Sequence, residues 1–316
     1  MDSFETSRRP SGGTSVALGI FDGMHRAHRA VVSAAVAPGT GLEPWVFTFA
    51  MDSIPSGKSN NAFLLSKEMK YRLMRGCGIS HVFAPNFSDV KGLSAVEFVD
   101  GILVGHLSAK AVCCGYDFRC GKGASCDAAM LSELCGRRGV KLTVVGEQDD
   151  AGSPISSTRI REAAASGNME EAEELAGYPF VMDSEVVGGN QIGRLHGLAT
   201  INQPIEEGFV CPKYGVYASA VYTGGRFWPS VTNVGVKPTI SKDESPTAET
   251  HLLGYRGDLY GERPPVFLLH FMRPEQCFPG QSELFAQIAA DAHDAEAFST
   301  AWIASSSEAV RKLFLL

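Results

Sequence analysis

Residues 19–28 read GIFDGMHRAH and follow directly on a short apolar run at residues 16–18. The run predicts a buried strand, Gly23 permits a tight turn, and a helical pattern begins at His25. His25 and His28 then lie one turn apart on one face of the helix. Because free backbone N–H groups and the helix dipole favour anions at a helix N-terminus, the stretch predicts a phosphate site.

The same two histidines are also compatible with surface positions, half of a metal site, or a cap of the helix. The preceding strand and the Asp22-Gly23 turn favour the phosphate site. A pair of imidazoles there can donate hydrogen bonds to phosphates without carrying a permanent charge. Asp22 alone is a common turn residue, so its own role stays open between turn and site.

The N-terminal half alternates short apolar runs with helical patterns. Strands are predicted over residues 15–21, 45–49, 81–83, 111–113 and 141–145, and helices over about 25–40, 66–76, 94–106 and 127–138. Strands that alternate with helices form βαβ units, so we expect an α/β domain with a parallel sheet.

Beyond about residue 180 the helical periodicity disappears. Strands are predicted over residues 180–187, 215–222, 226–234, 249–253 and 265–272, separated by turns rich in Gly, Pro and Asn. This spacing predicts a small antiparallel barrel or sandwich. Two helices between Ser157 and Ala176 precede it, and a helix over 282–304 with a break near His293 closes the chain. We therefore expect two domains, residues 1–180 and 181–316.

Length and charge limit the class of protein. A chain of 316 residues with 44% hydrophobic residues is long enough for about two domains. A net charge of -7 argues against general electrostatic binding of nucleic acid. The first residues, MDSFETSRRPSGG, contain no apolar signal, and no stretch approaches the ~18 apolar residues of a membrane span. We expect a cytoplasmic protein with small-molecule partners and no nucleic acid or membrane, as a monomer or weak homo-oligomer.

Five of the eight cysteines lie close together in sequence: Cys113, Cys114, Cys120, Cys126 and Cys135. Their spacings include no C-x-x-C pair, which is the usual element of a zinc site. Without an export signal they are expected to be reduced thiols. We interpret them as small buried apolar residues rather than metal ligands.

Several motifs carry a family resemblance. GIFDGMHRAH resembles the G-x-F-D-G-x-H-x-G-H motif of nucleotidylyltransferases, and ISSTRIR at residues 155–161 resembles their second motif. With GYDFRCGKG between them, the pattern resembles the adenylyltransferase module of bacterial bifunctional riboflavin kinase/FAD synthetases. The second half carries GRLHGLATIN, YGVYA, TNVGVKPT, ETHLL, DLYG and SELFAQIAADAHDAEAF in the order of that family's kinase module. The resemblance runs from about residue 15 to 300.

The resemblance implies two reactions on two folds. An antiparallel barrel of the riboflavin kinase type, with a closing helix, would transfer the γ-phosphate of ATP to riboflavin and so give FMN. A Rossmann-like domain would then transfer AMP from ATP to FMN, which gives FAD and pyrophosphate. Since no bond to the enzyme forms in adenylyl transfer, catalysis there is positioning plus neutralisation of phosphate charge.

For adenylyl transfer the resemblance assigns ATP and phosphate contacts to Phe21, Asp22, Gly23, His25, His28, Ser157, Thr158 and Arg161. His28 and Arg161 take catalytic roles, since a guanidinium suits the leaving pyrophosphate. A plain helix N-cap is the alternative for Ser157 and Thr158, but it does not explain Arg159 and Arg161. The loop residues Asp117 and Phe118 are assigned to the flavin, with surface acid and core aromatic as the alternative.

For the kinase the resemblance assigns Glu249 as the base, Thr200 and Asn202 as Mg²⁺ ligands, Gly193 and Arg194 to ATP, and Tyr217 and Asn233 to the flavin. A substrate hydroxyl needs a proton acceptor, and a hard cation prefers oxygen ligands. Two residues at i and i+2 in a strand point to one face, so Thr200 and Asn202 can share an ion.

The chain departs from the family motifs in places. Ala27 replaces a glycine, GFPTAN reads GLATIN with changes at Leu198, Ala199 and Ile201, and Cys120 and Ala124 replace an aromatic and a basic residue. Two alternatives to a bifunctional enzyme follow: one active module with a weakened kinase, or a flavin- or nucleotide-binding protein without turnover. Retention of the polar site residues argues against the second. Adenylyltransferases that make NAD or coenzyme A would not explain the β-rich half.

Overall fold

The structure is a computed structural model that describes residues 4–37, 41–54, 62–188, 199–236 and 246–316. The chain divides into two compact units. The first comprises Lys70–Ser156 with the described residues before position 55, and the second comprises Ser157–Phe314 with residues 62–69. The sequence-based boundary at residue 180 places the helices between 157 and 176 in the first domain, whereas this division places them in the second unit.

A parallel sheet forms the centre of the first unit. Its strands are β1 (Thr14–Leu18), β2 (Glu43–Phe47), β3 (His81–Phe83), β4 (Ala109–Gly115) and β5 (Lys141–Val145). All neighbours are parallel, in the order β3-β2-β1-β4-β5. The predicted parallel α/β architecture is confirmed. Since the strand order reverses between β1 and β4, the carboxyl ends of these two strands flank the crevice where such sheets bind ligands.

The helices of this part of the chain are α1 (Arg26–Val36), α2 (Lys67–Gly76), α3 (Phe87–Val90), α4 (Ala95–Glu97) and α5 (Ala128–Gly136). α1 packs against β1 and β4 and buries Val31, Val32 and Ala35. The helix predicted over 94–106 changes into a π-helix at Phe98–His106, where the Leu107 N–H bonds the Ile102 carbonyl five residues back. A hairpin that the pattern did not predict joins β6 (Asp149–Asp150) to β7 (Ser153–Pro154).

Most of the clustered cysteines lie in the apolar core of the first unit. Cys114, Cys126 and Cys135 are buried there, as predicted, together with residues such as Val112 and Leu131. Burial raises the pKa of the Cys135 thiol to about 11. In the part of the chain that the structure describes, no three His, Cys, Asp or Glu side chains are arranged to hold a metal ion.

The second unit contains a curled antiparallel sheet. Its strands are β8 (Phe180–Met182), β9 (Ala199–Pro204), β10 (Gly215–Thr223), β11 (Arg226–Gly235), β12 (Thr247–Leu252) and β13 (Val266–Arg273), in the order β8-β13-β10-β11-β12-β9. An isolated bridge from Val187 to Asn202 brings the chain after β8 beside β9, at the other edge of the sheet. The predicted antiparallel barrel is confirmed as a half-barrel. β9 was missing from the strands that the pattern predicted.

Three helices accompany this sheet: α6 (Ser157–Ser166), α7 (Met169–Ala176) and α8 (Gln281–Phe314). α8 packs on β10 and β11, and its Asp291 pairs with Arg273 of β13. The predicted break near His293 is wrong, and the helix continues ten residues past the predicted end at 304. The hydroxyls of Ser305 and Ser307 bond carbonyls of the preceding turn, so a serine-rich stretch remains helical. Neither α8 nor any other described helix is long and apolar enough to cross a membrane.

Candidate active sites

A strained turn connects β1 to α1. The strand predicted over residues 15–21 therefore ends earlier than expected, at Leu18 rather than Phe21. Phe21 and Met24 adopt positive φ angles of 54° and 36°, and Gly23 has a φ of 79°. Gly19 packs so closely on the Phe21 ring that a Cβ at this position would lie 2.9 Å from ring atoms. The turn lifts the chain out of the sheet and directs it into α1.

The histidine pair lies at the N-terminus of α1, as predicted. His25 is the N-cap residue, and its Nδ1 accepts a hydrogen bond of 3.3 Å from the backbone N–H of His28. The two rings stack with centroids 3.6 Å apart, and the Phe21 ring contacts His28 edge-on at 5.4 Å. Because Nδ1 of His25 is an acceptor, the proton of the neutral ring is on Nε2, where it can be donated to an anion.

The surroundings keep His28 neutral. Burial holds its pKa well below the usual value, and the positive charges of Lys70 and Arg29, together with that of His25 whenever it is protonated, lower that pKa further. Its Nδ1 is buried and has no hydrogen-bond partner among the residues that the structure describes. Phe21 itself is almost fully buried, so it acts on this site by packing against His28. The pair can therefore donate hydrogen bonds to phosphates without a permanent charge.

Lys70 was not identified from the sequence and lies beside this turn. Its ammonium donates to the Ile20 carbonyl at 2.6 Å and to the Thr48 hydroxyl at 3.1 Å, and the side chain is buried. Burial lowers the pKa of Lys70 to about 8, although the charges of Asp22 and Glu5 act to raise it. The signal in the sequence is a lysine within the apolar face of a predicted helix.

The residues assigned to the flavin near β4 lie at the same edge of the sheet. Asp117 and Phe118 follow the end of β4 in a turn that the Phe118 N–H closes on the Gly115 carbonyl at 3.1 Å. Asp117 is exposed, and Phe118 is half-buried against the core. Because β4 neighbours β1, this turn and the His25 turn both follow the carboxyl ends of adjacent parallel strands.

The second motif forms the start of α6, in the second unit. Thr158 is exposed, whereas Ser157 and Arg161 are half-buried. The Arg161 Nε donates to the Ala62 carbonyl at 2.7 Å, which orients the guanidinium. Arg159 forms an ion pair of 3.2 Å with Glu171 of α7, so this arginine has a structural partner. The helix start thus presents two hydroxyls and one oriented guanidinium.

The predicted kinase residues form a row across three strands. Asn202 of β9 lies opposite Glu249 of β12, which lies opposite Asn233 of β11. Thr200 lies opposite His251, two residues along the same strands. Residues directly opposite one another in an antiparallel sheet share a face, as do residues at i and i+2. The sheet therefore brings both predicted metal ligands and the predicted base onto one face.

His251 is a member of this face that the sequence analysis did not identify. Its Nδ1 lies 2.7 Å from the Thr200 hydroxyl. Burial lowers the pKa of His251, and the charge of Glu249 acts to raise it. The signal was present in ETHLL, because strand alternation places His251 on the same face as Glu249.

Of the two residues assigned to the flavin in this unit, only Asn233 lies on the Glu249 face. Its side-chain amide donates to Glu275 at 3.3 Å. Tyr217 is fully buried on the other face, where its hydroxyl donates to the Lys213 carbonyl. A fully buried ring has no surface for a ligand, so the assignment of Tyr217 as a direct flavin contact is not supported in this conformation.

The departures from the family motifs fall in different places. Ala27 is an ordinary position of α1, which alanine suits. Ile201 is buried and alternates with Thr200 along β9, so its bulk does not lie on the face of the predicted ligands. Gly193 and Arg194, which were assigned to ATP, and Leu198 lie outside the described residues.

Behind the Glu249 face, four buried hydroxyls form a hydrogen-bonded chain across β10, β11 and β12. Ser219 bonds Ser230 at 2.8 Å and Thr232 at 2.7 Å, and Thr232 bonds Thr250 at 2.9 Å. All four side chains are fully buried. This chain satisfies polar groups inside the half-barrel and links the strand of Glu249 to the strands beside it.

Comparisons with known proteins match both halves. The family model described as FAD synthetase matches residues 7–159, and the model described as riboflavin kinase matches residues 176–299. Two relatives are named bifunctional riboflavin kinase/FMN adenylyltransferase. The relative from Escherichia coli is 35% identical, over 92% of this chain and 95% of its own length. The relative from Listeria monocytogenes is 33% identical, over 90% of this chain and 91% of its own length. A solved structure from Streptococcus pneumoniae, named as a macrolide-efflux protein, has a TM-score of 0.80 at 25% identity and covers 93% of this chain and 98% of its own.

Proposed function

Because this chain belongs to the family of bifunctional riboflavin kinase/FMN adenylyltransferases, we propose that its two polar sites divide the two reactions between them. ATP, riboflavin and FMN are its substrates. Matches over both modules favour the bifunctional enzyme over a protein with one active module or none. We assign FMN adenylyltransferase to a domain of residues 1–180 and riboflavin kinase to a domain of residues 181–316.

In adenylyl transfer, an oxygen of the FMN phosphate attacks the α-phosphorus of ATP, and the bond to pyrophosphate breaks. The stacked His25–His28 pair is the observation that supports this site. Neutral imidazole N–H groups at the N-terminus of α1 would bind the phosphates where negative charge builds up. Gly23 and Asp22 shape the turn, and the Asp117–Phe118 turn would contact the flavin.

The second motif is assigned to the phosphates as well. The Ser157 and Thr158 hydroxyls at the start of α6 suit phosphate oxygens, and Arg161 suits the pyrophosphate leaving group. The hydrogen bond from Arg161 to the Ala62 carbonyl supports this role, because it fixes the guanidinium before ATP binds.

In the kinase step, the terminal ribityl hydroxyl of riboflavin attacks the γ-phosphorus of ATP, and ADP leaves. The Glu249 carboxylate would accept the hydroxyl proton, and Asn233 on the same face would orient the flavin. The row of Asn202, Glu249 and Asn233 supports this assignment, because it places a proton acceptor beside two amides on one face.

The oxygens of Thr200 and Asn202 fit a Mg²⁺ ion. Both oxygens are hard ligands on the same face. The Thr200 hydroxyl can donate a hydrogen bond to Nδ1 of His251, which leaves the lone pairs of its oxygen for a cation. Mg²⁺ bound there would neutralise charge on the ATP phosphates. Glu249 would remain the proton acceptor.

We place the enzyme in the cytoplasm as a monomer or weak homo-oligomer that handles small molecules and no nucleic acid. The net charge of -7 supports the last point, because a nucleic-acid surface is normally basic. Chemical cross-linking and elution volume in gel filtration test the oligomeric state.

The test is chromatography of products from the full chain with ATP and Mg²⁺, supplied with riboflavin or with FMN. The unaltered protein should form FAD from both. Glu249→Ala should abolish FMN formation from riboflavin and leave the conversion of FMN to FAD intact, and His28→Ala should do the reverse. Each variant serves as the folding control for the other. Single variants that each lose both activities would refute the division.

A further inference from the structure

Lys70 is a buried cation for which the proposed chemistry has no role. Only 3% of it is exposed, and its ammonium donates to the Ile20 carbonyl at 2.6 Å and to the Thr48 hydroxyl at 3.1 Å. Thr48 also donates to the same carbonyl, at 3.0 Å. The three groups form a closed hydrogen-bonded triangle.

This triangle lies at the carboxyl ends of two strands. Ile20 follows β1 and immediately precedes Phe21, the first residue of the turn with positive φ. Thr48 follows β2, the neighbour of β1. Lys70 therefore ties a strained turn to the adjacent strand, at the point where the chain leaves the sheet toward His25.

Charged groups surround Lys70 from several elements. Asp22 in the turn and Glu5 in the N-terminal segment act on it as negative charges. The positive charge of Lys70 in turn lowers the pKa of His28 in α1, as do Arg29 and a protonated His25. Lys70 is thus within electrostatic range of both the aspartate and the histidine of the phosphate motif.

Stability alone does not account for a lysine here. Removing an ammonium from water is costly, and apolar residues of similar volume at buried ionic sites are often neutral or more stable. Strained backbone persists only where its surroundings hold it in place. An ammonium that bonds the carbonyl next to the strained residues provides that hold.

We propose that Lys70 is a positioning residue for adenylyl transfer: its ammonium holds the Ile20 carbonyl and the Thr48 hydroxyl, and so fixes the turn that presents His25 and His28 to the phosphates. The proposal rests on the function assigned above to the histidine pair. Lys70 acts through the turn and contacts no substrate.

The test compares Lys70→Met, Lys70→Arg and Lys67→Met in the full chain. Lys67 is an exposed residue on the same helix and provides the matched control. For each protein, kcat and KM for FMN in adenylyl transfer are measured from pH 6.5 to 9.5, with riboflavin kinase activity in the same preparation as the control for folding.

Lys70→Met should lower kcat of adenylyl transfer at pH 7 at least tenfold, with KM for FMN within threefold and kinase activity unchanged. The unaltered enzyme should lose adenylyl transfer as pH rises through the range in which Lys70 releases its proton. Lys70→Arg should keep most of the activity at pH 7 and lack this alkaline decline, because a guanidinium does not titrate there. Lys67→Met should behave as the unaltered enzyme.

Adenylyl transfer within twofold of normal in Lys70→Met would overturn the proposal, as would equal loss of both activities. If Lys70→Met does not fold, Thr48→Val decides, because it removes one partner and leaves the ammonium in place. It should lower adenylyl transfer alone, and unchanged transfer would refute the proposal. His28→Ala separates the role of Lys70 from the assignment of the histidine pair. If His28→Ala loses adenylyl transfer while Lys70→Met keeps it, only the role of Lys70 is refuted. If both variants keep adenylyl transfer, the assignment of the histidine pair is refuted as well.

Discussion

The rings of His25 and His28 stack 3.6 Å apart, and the Nδ1 of His25 accepts the backbone N–H of His28. One side chain thus performs two tasks, because the nitrogen that caps α1 is not the nitrogen that can donate to a ligand. This arrangement fixes the tautomer of His25 before a phosphate binds. The two tasks can be separated by substitution.

His25→Ala should lower the free energy of unfolding by about 1 kcal/mol, since it removes an N-cap, and should also impair adenylyl transfer. His25→Asn retains an acceptor for the His28 N–H but lacks the imidazole donor. It should restore the stability and not the activity. Urea denaturation and FMN adenylylation measure the two effects, and a return of activity with the cap would show that His25 acts only on the helix.

Thr200→Val should raise the Mg²⁺ concentration needed for half-maximal riboflavin kinase activity, on the order of tenfold or more, because it removes an oxygen ligand and keeps the shape of the side chain. Ile201→Val is the matched control, since Ile201 lies on the other face of β9. Titration with Mg²⁺ at saturating ATP gives the measurement. The same Mg²⁺ dependence in all three proteins would remove Thr200 from the metal site.

The stability of Lys70→Met relative to the unaltered protein should depend on pH. The pKa of Lys70 is about 8 in the folded protein and 10.5 ordinarily, so between these values the unfolded chain binds the extra proton. The contribution of this lysine to the free energy of unfolding is therefore lowest below pH 8 and rises with pH between the two values.

Lys70→Met should accordingly exceed the unaltered protein in stability at pH 7, and its advantage should shrink between pH 8 and 10. The difference between the two proteins is the quantity to follow, because the buried thiol of Cys114, whose pKa is raised to about 12, acts in the opposite direction in both. A difference that is constant with pH would contradict a buried, titrating lysine.

Thr232→Val should destabilise the second unit by about 1–3 kcal/mol, because it leaves buried hydroxyl partners unsatisfied. Ser219 and Thr250 both bond Thr232. Thr223→Val, at the half-buried end of β10, is the control with the same chemical change. Denaturation curves compare the two variants, while kcat for both reactions should stay normal under conditions where they are folded. Equal stability of the two variants would show that the hydroxyl chain contributes nothing.

Sequence reasoning predicted the elements whose signal is local. The alternation of apolar runs and helical patterns predicted the parallel sheet, and strand spacing of two placed Thr200 and Asn202 on one face. It failed where a distant partner decides: the ammonium of Lys70 is buried against Ile20 and Thr48, which lie 50 and 22 residues away in the chain. It also ended α8 too early, because the serine hydroxyls of residues 305 and 307 bond carbonyls of their own helix rather than breaking it.

The sequence by itself determined the period of most elements, the turn at Gly23 and the pairing of His25 with His28, because these depend on dihedral preferences and on neighbours within one helical turn. Tertiary structure alone decided that Asn202, Glu249 and Asn233 stand in one row, that Tyr217 is buried, and that His251 meets Thr200. Cross-strand register and burial depend on contacts between residues far apart in the chain, for which a local pattern carries no signal.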